Sequence, residues 1–322
     1  MSHDILTIGA ATRDIFLVSE QFRSIANKSF EGGHAECVPL GSKIEIQTFV
    51  ATTGGGATNA AATFRSLGFK TAITCRIGDD SIGRDVLEDL KSYRIETTYL
   101  NRIKGGQTAY STLLTMPEGE RTVLVYRGVS AKFTDVDIHW SAIKKSKWIY
   151  LTSLGGNLEL SKKIVEFAHK HRVKIAWNPG GGELKKGLKA FQSILKMIDV
   201  FIVNKEEAEL LTGESNIKKL CSVFKQEGVI RLITDGARGT TMIDGIKVHK
   251  FGTSGTKGIS KTGAGDAFGS GFVAALVKFK DPITAARIAT ISAESVIQHL
   301  GAKKGVLTSW PTESKIKKIK VS

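Results

Sequence analysis

An aspartate at the glycine-lined start of a helix is the group in this chain best placed to take up a proton. The stretch KTGAGDAFGSGFVAAL, residues 261–276, sets Gly263, Ala264 and Gly265 just ahead of an apolar helix with Phe268, Phe272, Ala275 and Leu276 on its buried side. The first N–H groups of a helix have no intrahelical partner, and the helix dipole favours an anion in front of them. Asp266 stands beside that anion hole. A carboxylate there repels a bound phosphate, so it suits proton acceptance better than phosphate binding. The alternative is that Asp266 caps the helix, because Asp is a favoured N-cap residue.

Three further segments carry groups that could meet it. In GGGATNAAA, Gly54 to Ala62, consecutive glycines let backbone approach a ligand, and Asn59 offers both a donor and an acceptor to a hydroxylated molecule. A tight turn before a helix explains the same residues. In VFIVNKEEAELLTG, Asn204 ends a strand and Glu207 lies one turn into the next helix. That spacing can aim an amide and a carboxylate at hydrated Mg2+, or close a capping box between the two residues. TDGARG at 234–239 is a strand end followed by glycine turns, consistent with nucleotide contact. Two commoner phosphate cradles are excluded: there is no GxxxxGK[ST], and GxGxxG fails at Phe268, where its third glycine should stand.

The elements that must hold these groups read as α/β. ILTIGA, WIYLTSL, KIAWN, VFIVN and VIRLITDG are short apolar strands, and from Trp148 onward they alternate with helical stretches. Such alternation implies a mainly parallel sheet covered on both faces. TAITCRIG reads as one more strand, and KIEIQTFVAT at 43–52 alternates as a half-covered strand would. TAYSTLLT and RTVLVYR bracket PEGE as a hairpin. The β-rich pieces near 12–20, 36–52 and 108–127 predict a small sheet inserted into one domain that spans residues 1–322.

Composition narrows the setting. Lys and Arg total 46 against 31 Asp and Glu, for a net charge of +15, yet the basic residues are dispersed. The densest cluster is the tail KIKKIK, and no zinc-finger, RNP1 or zipper pattern accompanies it, which argues against nucleic acid as a partner. Cys37, Cys75 and Cys221 are odd in number and far apart, which suits a reducing cytoplasm better than a disulfide framework. The N-terminal residues lack the basic-then-apolar pattern of a signal peptide, and no apolar run is long enough to cross a bilayer. The expected partner is a small molecule.

Together the segments resemble the ribokinase-like (PfkB) carbohydrate kinase family over nearly the whole chain. The first family signature is met at Gly55, Asn59, Gly68 and Gly78, and the second at Gly263-Ala264-Gly265-Asp266. NxxE is present as Asn204 and Glu207, and TxGxxG as Thr234, Gly236 and Gly239. The resemblance implies a three-layer fold with a β-sheet lid, and transfer of the ATP γ-phosphoryl group to a hydroxyl of a sugar, or alternatively of a nucleoside such as adenosine. It assigns Asp266 as base, the N–H groups of Gly263, Ala264 and Gly265 as the anion hole, and Asn204 and Glu207 to Mg2+. Asp14, Gly55 and Asn59 would bind the acceptor, and Asn204, Thr234, Gly236 and Gly239 the nucleotide. A homodimer through the lid also follows from it. A non-catalytic relative that binds a ligand or nucleic acid is the rival, and the intact GAGD counts against it.

The chain departs from the family in several places. Ser260 stands where an Asp often helps bind a monovalent cation, and Lys261 follows it with a fixed positive charge. Turnover nearly independent of K+ is therefore expected. Gly56 replaces the lysine of the ribokinase GGKGAN pattern, YLTSLGG lacks the acidic residue expected at that strand end, and NPGGG at 178–182 differs from the sugar-phosphate kinases.

Overall fold

The computed structural model describes residues 2–30, 33–116 and 120–322. The central sheet has eight strands in the order β16-β15-β14-β13-β12-β11-β1-β6. These are β1 (His3–Ile8), β6 (Thr71–Thr74), β11 (Ser146–Leu151), β12 (Lys174–Trp177), β13 (Val200–Asn204), β14 (Ile230–Thr234), β15 (Thr240–Asp244) and β16 (Lys247–Phe251). All neighbours from β6 to β14 pair in parallel, and the two pairings at the edge, β14 with β15 and β15 with β16, are antiparallel. The continuous apolar strands follow from burial on two faces. In β13, Phe201 and Val203 enter one core with helices α4 (Leu158–Lys170), α6 (Leu188–Leu195), α7 (Lys205–Thr212) and α8 (Ile217–Phe224). Val200 and Ile202 enter the opposite core, against α1 (Gly56–Ser66), α9 (Ala264–Phe279) and α10 (Pro282–Val296). The remaining helices are α2 (Ser81–Ser92), α3 (Trp140–Lys144), α5 (Gly181–Leu184) and α11 (Glu313–Lys318).

A second, four-stranded sheet in the order β10-β9-β2-β5 stands apart from the first. It is built from β2 (Thr12–Val18), β5 (Thr48–Gly54), β9 (Ala109–Thr115) and β10 (Arg121–Tyr126). β9 and β10 are registered as the expected hairpin, with Leu113 opposite Val123; residues 117–119 of its PEGE turn lie outside the described residues. Asp14 sits opposite Ser111 on one side and Thr52 on the other.

Three strand boundaries differ from the sequence reading. The strand expected over 43–52 begins at Thr48 and runs on to Gly54, because its partner β2 ends at Val18 and the ladder stops there. Residues 34–37 instead form β4 (His34–Cys37), which pairs only with β3 (Arg23–Ala26). TAITCRIG breaks at Cys75, since β1 ends at Ile8 opposite Thr74. Its second half, β7 (Arg76–Gly78), pairs with β8 (Asn101–Ile103) in a sheet of two strands.

Candidate active site

The start of α9 is shaped by Gly263, the N-cap, at φ +82°. A Cβ there would meet the Ala302 Cβ at 2.5 Å and its Cα at 2.6 Å, so both backbone conformation and contact require glycine. Asp266 lies in the first turn, and no side chain caps this helix, so the capping alternative is not the one taken. The Asp266 carboxylate instead accepts a hydrogen bond from Asn59 Nδ2 at 2.8 Å, across 207 residues of chain.

Asn59 reaches it because β5 runs directly into α1 through Gly54, Gly55 and Gly56. Gly55 is at φ +96°, and a Cβ on it would lie 2.5 Å from the Ala10 carbonyl oxygen. A Cβ on Gly54 would sit 1.9 Å from Asp14 Oδ2, so the glycine makes the room that the Asp14 carboxylate occupies. The Thr58 hydroxyl donates to the Gly54 carbonyl at 2.6 Å and fixes the turn. The other amide atom of Asn59, Oδ1, is buried and has no partner among the described residues.

These two loops and the small sheet enclose one cavity of about 290 Å³. Asp14, Gly55, Asn59, Gly263 and Asp266 line it from below; Ser111, Leu113, Arg121 and Val123 line it from β9 and β10, with Lys261 and Thr262 at the side. Burial pushes the Asp14 carboxyl up to about 6, against the opposing pull of Ser111 and of the Lys303 charge. Asp266 is likewise raised by desolvation, and its bond from Asn59 and the Lys303 charge hold it down. Each carboxylate is therefore poised between water-excluding surroundings that favour its protonation and a cation that favours its ionisation.

Asn204, Glu207, Thr234, Gly236 and Gly239 lie outside this cavity, at the carboxyl ends of two adjacent central strands. Asn204 of β13 pairs in register with Thr234 of β14, which brings the NxxE and TxGxxG segments side by side. Asn204 and Glu207 form a reciprocal capping box: the Glu207 N–H donates to Asn204 Oδ1 at 2.8 Å, and the Asn204 N–H to Glu207 Oε2 at 2.9 Å. Burial raises the Glu207 carboxyl against the backbone bond from Asn204, and the negative charge of Asp266 adds to the rise. Among the described residues no three Asp, Glu, His or Cys side chains converge as a metal cluster. Gly239, at φ +91°, lies where a Cβ would be 1.9 Å from the Phe251 carbonyl oxygen.

The model of the pfkB family carbohydrate kinases matches residues 2–309. The chain belongs to this family. Its members are phosphotransferases with an alcohol group as acceptor. A ribokinase of Haemophilus influenzae is 28% identical over 299 residues, covering 88% of this chain and 95% of that protein. Among solved structures, a nucleoside kinase of Burkholderia thailandensis in complex with inosine superposes with a TM-score of 0.76 at 19% identity, covering 97% of this chain and 96% of its own. A ribokinase of Arabidopsis thaliana complexed with ribose and ATP gives 0.72 at 20% identity, covering 99% and 98%. At these identities the structures establish a shared fold.

The kinase holds its site with residues that the motifs do not contain. Lys303 is 4% exposed, and its ammonium donates to Asp89 Oδ2 at 2.6 Å and to the Thr53 hydroxyl at 2.5 Å. Desolvation lowers it, while Asp89 and Asp14 hold it charged. Its neighbour Ala302 is the residue packed on Gly263. Nothing in the local sequence separates Lys303 from the adjacent Lys304; only the fold does. Lys261, by contrast, points outward, its side chain 74% exposed, and pairs with Glu120 at 3.2 Å. The NPGGG segment also has a local explanation. The buried carboxylate of Glu183 accepts from the N–H groups of Leu154, Gly156 and Gly180, and a Cβ on Gly182 would lie 2.9 Å from Gly156 Cα. Two loops are tied together there.

Proposed function

We propose that this kinase transfers the γ-phosphoryl group of ATP to a hydroxyl of a sugar bound in the cavity under the small sheet. The observation that carries this reading is the Asp266 carboxylate, held by Asn59 at the glycine-lined start of α9 and opening into that cavity beside Asp14. Asp266 takes the proton of the attacking hydroxyl, a step that typically contributes ~100- to 10,000-fold. Asp14, Gly55 and Asn59 orient the acceptor, and Asn59 Oδ1 supplies a buried acceptor atom for one of its hydroxyls. The N–H groups of Gly263 and Gly265 face the charge that develops on the phosphoryl oxygens, and that of Ala264 joins them by giving up its long 3.4 Å bond to the Lys261 carbonyl.

The nucleotide lies along the ends of β13 and β14, over Asn204, Thr234, Gly236 and Gly239. Mg2+, when bound with it, neutralises phosphate charge. Asn204 and Glu207, already bonded to each other as a capping box, are the residues that would hold it. The four-stranded sheet covers the acceptor and excludes water. A sugar is favoured over a nucleoside because no aromatic ring is among the residues lining the cavity, so a nucleobase would have nothing to stack on. Val123, Leu124, Val125 and Tyr126 of β10 are 41% to 55% exposed, an apolar strand that supports the proposed pairing of two copies through the small sheet. Among the described residues no helix is long and apolar enough to cross a membrane, and the free thiols fit the cytoplasm. The test is ADP release with ATP and a panel of sugars and nucleosides. Sugar-dependent turnover is expected, and turnover with nucleosides alone would overturn the choice of acceptor.

A further inference from the structure

The cavity is not uniform along its length. Asp14 and Asp266 occupy one end, where the glycine loops meet, and Arg121 occupies the end under β10. The strand registers set the separation. Asp14 is level with Ser111, Phe16 with Leu113 and Val123, and Val18 with Thr115 and Arg121. The last level lies four residues along the strand from the first, roughly 13 Å of rise.

The Arg121 side chain has no hydrogen-bond or ion-pair partner among the described residues. Among the described residues no carboxylate pairs with its guanidinium, and its Nε is buried without a hydrogen bond. The adjacent Glu120, the obvious candidate, is taken by Lys261. Val123, two residues on, faces the same cavity, as the alternation of a strand demands. A half-buried guanidinium whose Nε is unpaired among the described residues, at the lining of an open cavity, is an arrangement that an anion completes, because it presents a fork matched to carboxylate or phosphate oxygens.

We infer that the acceptor carries an anionic group, a phosphate or a carboxylate, received by Arg121 at the far end of the cavity from Asp266. This rests on the kinase reading above and names the class of acceptor within it. The charges also orient the molecule. Asp14 and Asp266 repel the anionic group and Arg121 draws it, so the hydroxyl at the opposite end of the sugar is the one presented to the base. The unusual NPGGG segment does not bear on this, since its glycines pack two loops together.

The experiment compares matched pairs by calorimetry in the presence of a non-hydrolysable ATP analogue: ribose and ribose 5-phosphate, fructose and fructose 6-phosphate, glucose and glucuronate. At least one anionic member is expected to bind about tenfold to a hundredfold more tightly than its neutral counterpart, the usual range for charge-assisted hydrogen bonds. The phosphate and carboxylate arms say which group is meant. In Arg121→Gln that ratio should fall towards one. Neutral sugars that bind as tightly as their anionic partners would overturn the inference. So would an Arg121→Gln variant whose only change is a higher KM for ATP, which would assign the guanidinium to the nucleotide. An anionic preference with no ADP release from any acceptor would leave this inference standing and defeat the kinase reading instead.

Discussion

The two halves of the crevice satisfy their polar groups in opposite ways. On the proposed nucleotide side the partners are close in sequence: Asn204 and Glu207 bond each other three residues apart, as do Asp235 and Arg238. On the acceptor side the partners are distant. Asn59 holds Asp266 across 207 residues, and Lys303 reaches Thr53 across 250 and Asp89 across 214. Local pairs form wherever the helix forms, and an arriving ligand must compete with them. Long-range pairs exist only in the finished fold, and they hold the acceptor groups in a fixed, partly desolvated geometry before any ligand arrives. Such preorganised charge is what a proton transfer needs.

The sharpest way to break this contrast is to remove the charge at its centre. Asp266→Asn is expected to lower kcat by ~100- to 10,000-fold while nucleotide binding persists, since the groups over β14 are untouched. Single-turnover kinetics with a parallel titration of ATP analogue measures both. Near wild-type turnover would remove Asp266 from the chemistry.

The next effect should come from Lys303→Met. Its ammonium holds Asp14 and Asp266 down against their burial, so its loss lets both rise. A base must be ionised to act, so activity falls as pH drops through the carboxylate range, and in the variant that acid limb moves to higher pH. At pH 7 the loss in kcat/KM should be roughly tenfold. Stability should also fall by about 3 kcal/mol, because Asp89 is left without its partner. The double variant Lys303→Met with Asp89→Asn separates the two effects: stability recovers and the displaced pH limb remains. A pH profile that returns with stability would reduce Lys303 to a structural brace.

On the nucleotide side the effect should be smaller. Glu207→Gln is expected to raise the Mg2+ concentration for half-maximal rate about tenfold, the size seen when groups behind a metal's ligands are changed. If the Mg2+ titration is unmoved and stability drops by about 1 kcal/mol, the residue is a helix cap and nothing more.

The same contrast explains what the sequence made readable. Phe201 and Val203 alternate with Val200 and Ile202, and that pattern alone announces a strand buried on both sides. The glycine loops are legible because positive φ and close approach leave no other residue possible at Gly55 and Gly263. The strand ends at 43–52 and at Cys75 were not, because each is decided by where a partner strand stops. Lys303 was invisible for a related reason. Burial of a lysine is a property of what folds over it, and Asp89 and Thr53 are contributed by α2 and β5. Arg121 gave no signal beyond its place in an alternating strand, one of many basic residues in a chain of net charge +15.

The smallest expected effect concerns the stretch just before α9. Ser260 is buried, and its hydroxyl accepts from the Thr262 N–H at 3.2 Å, so it offers a neutral, already bonded oxygen where the resemblance expects a carboxylate. Lys261 faces solvent and pairs with Glu120, so its ammonium does not take the place of an ion in the interior. Lys303 does carry an interior positive charge, on the loop whose Ala302 packs against Gly263. That charge is covalently fixed and needs no ion from solution to oppose the desolvation that raises Asp14 and Asp266. Initial rates against KCl, at constant ionic strength with choline chloride as balance, should therefore change by less than about twofold, the scale of residual screening effects on exposed pairs such as Lys261 with Glu120. A several-fold rise on adding K+ would show that backbone carbonyls near Ser260 bind a cation without the acidic ligand. Repeating the titration on Lys303→Met sharpens the point. A K+ response that emerges only in the variant would mean that the lysine and the ion are alternative sources of one charge.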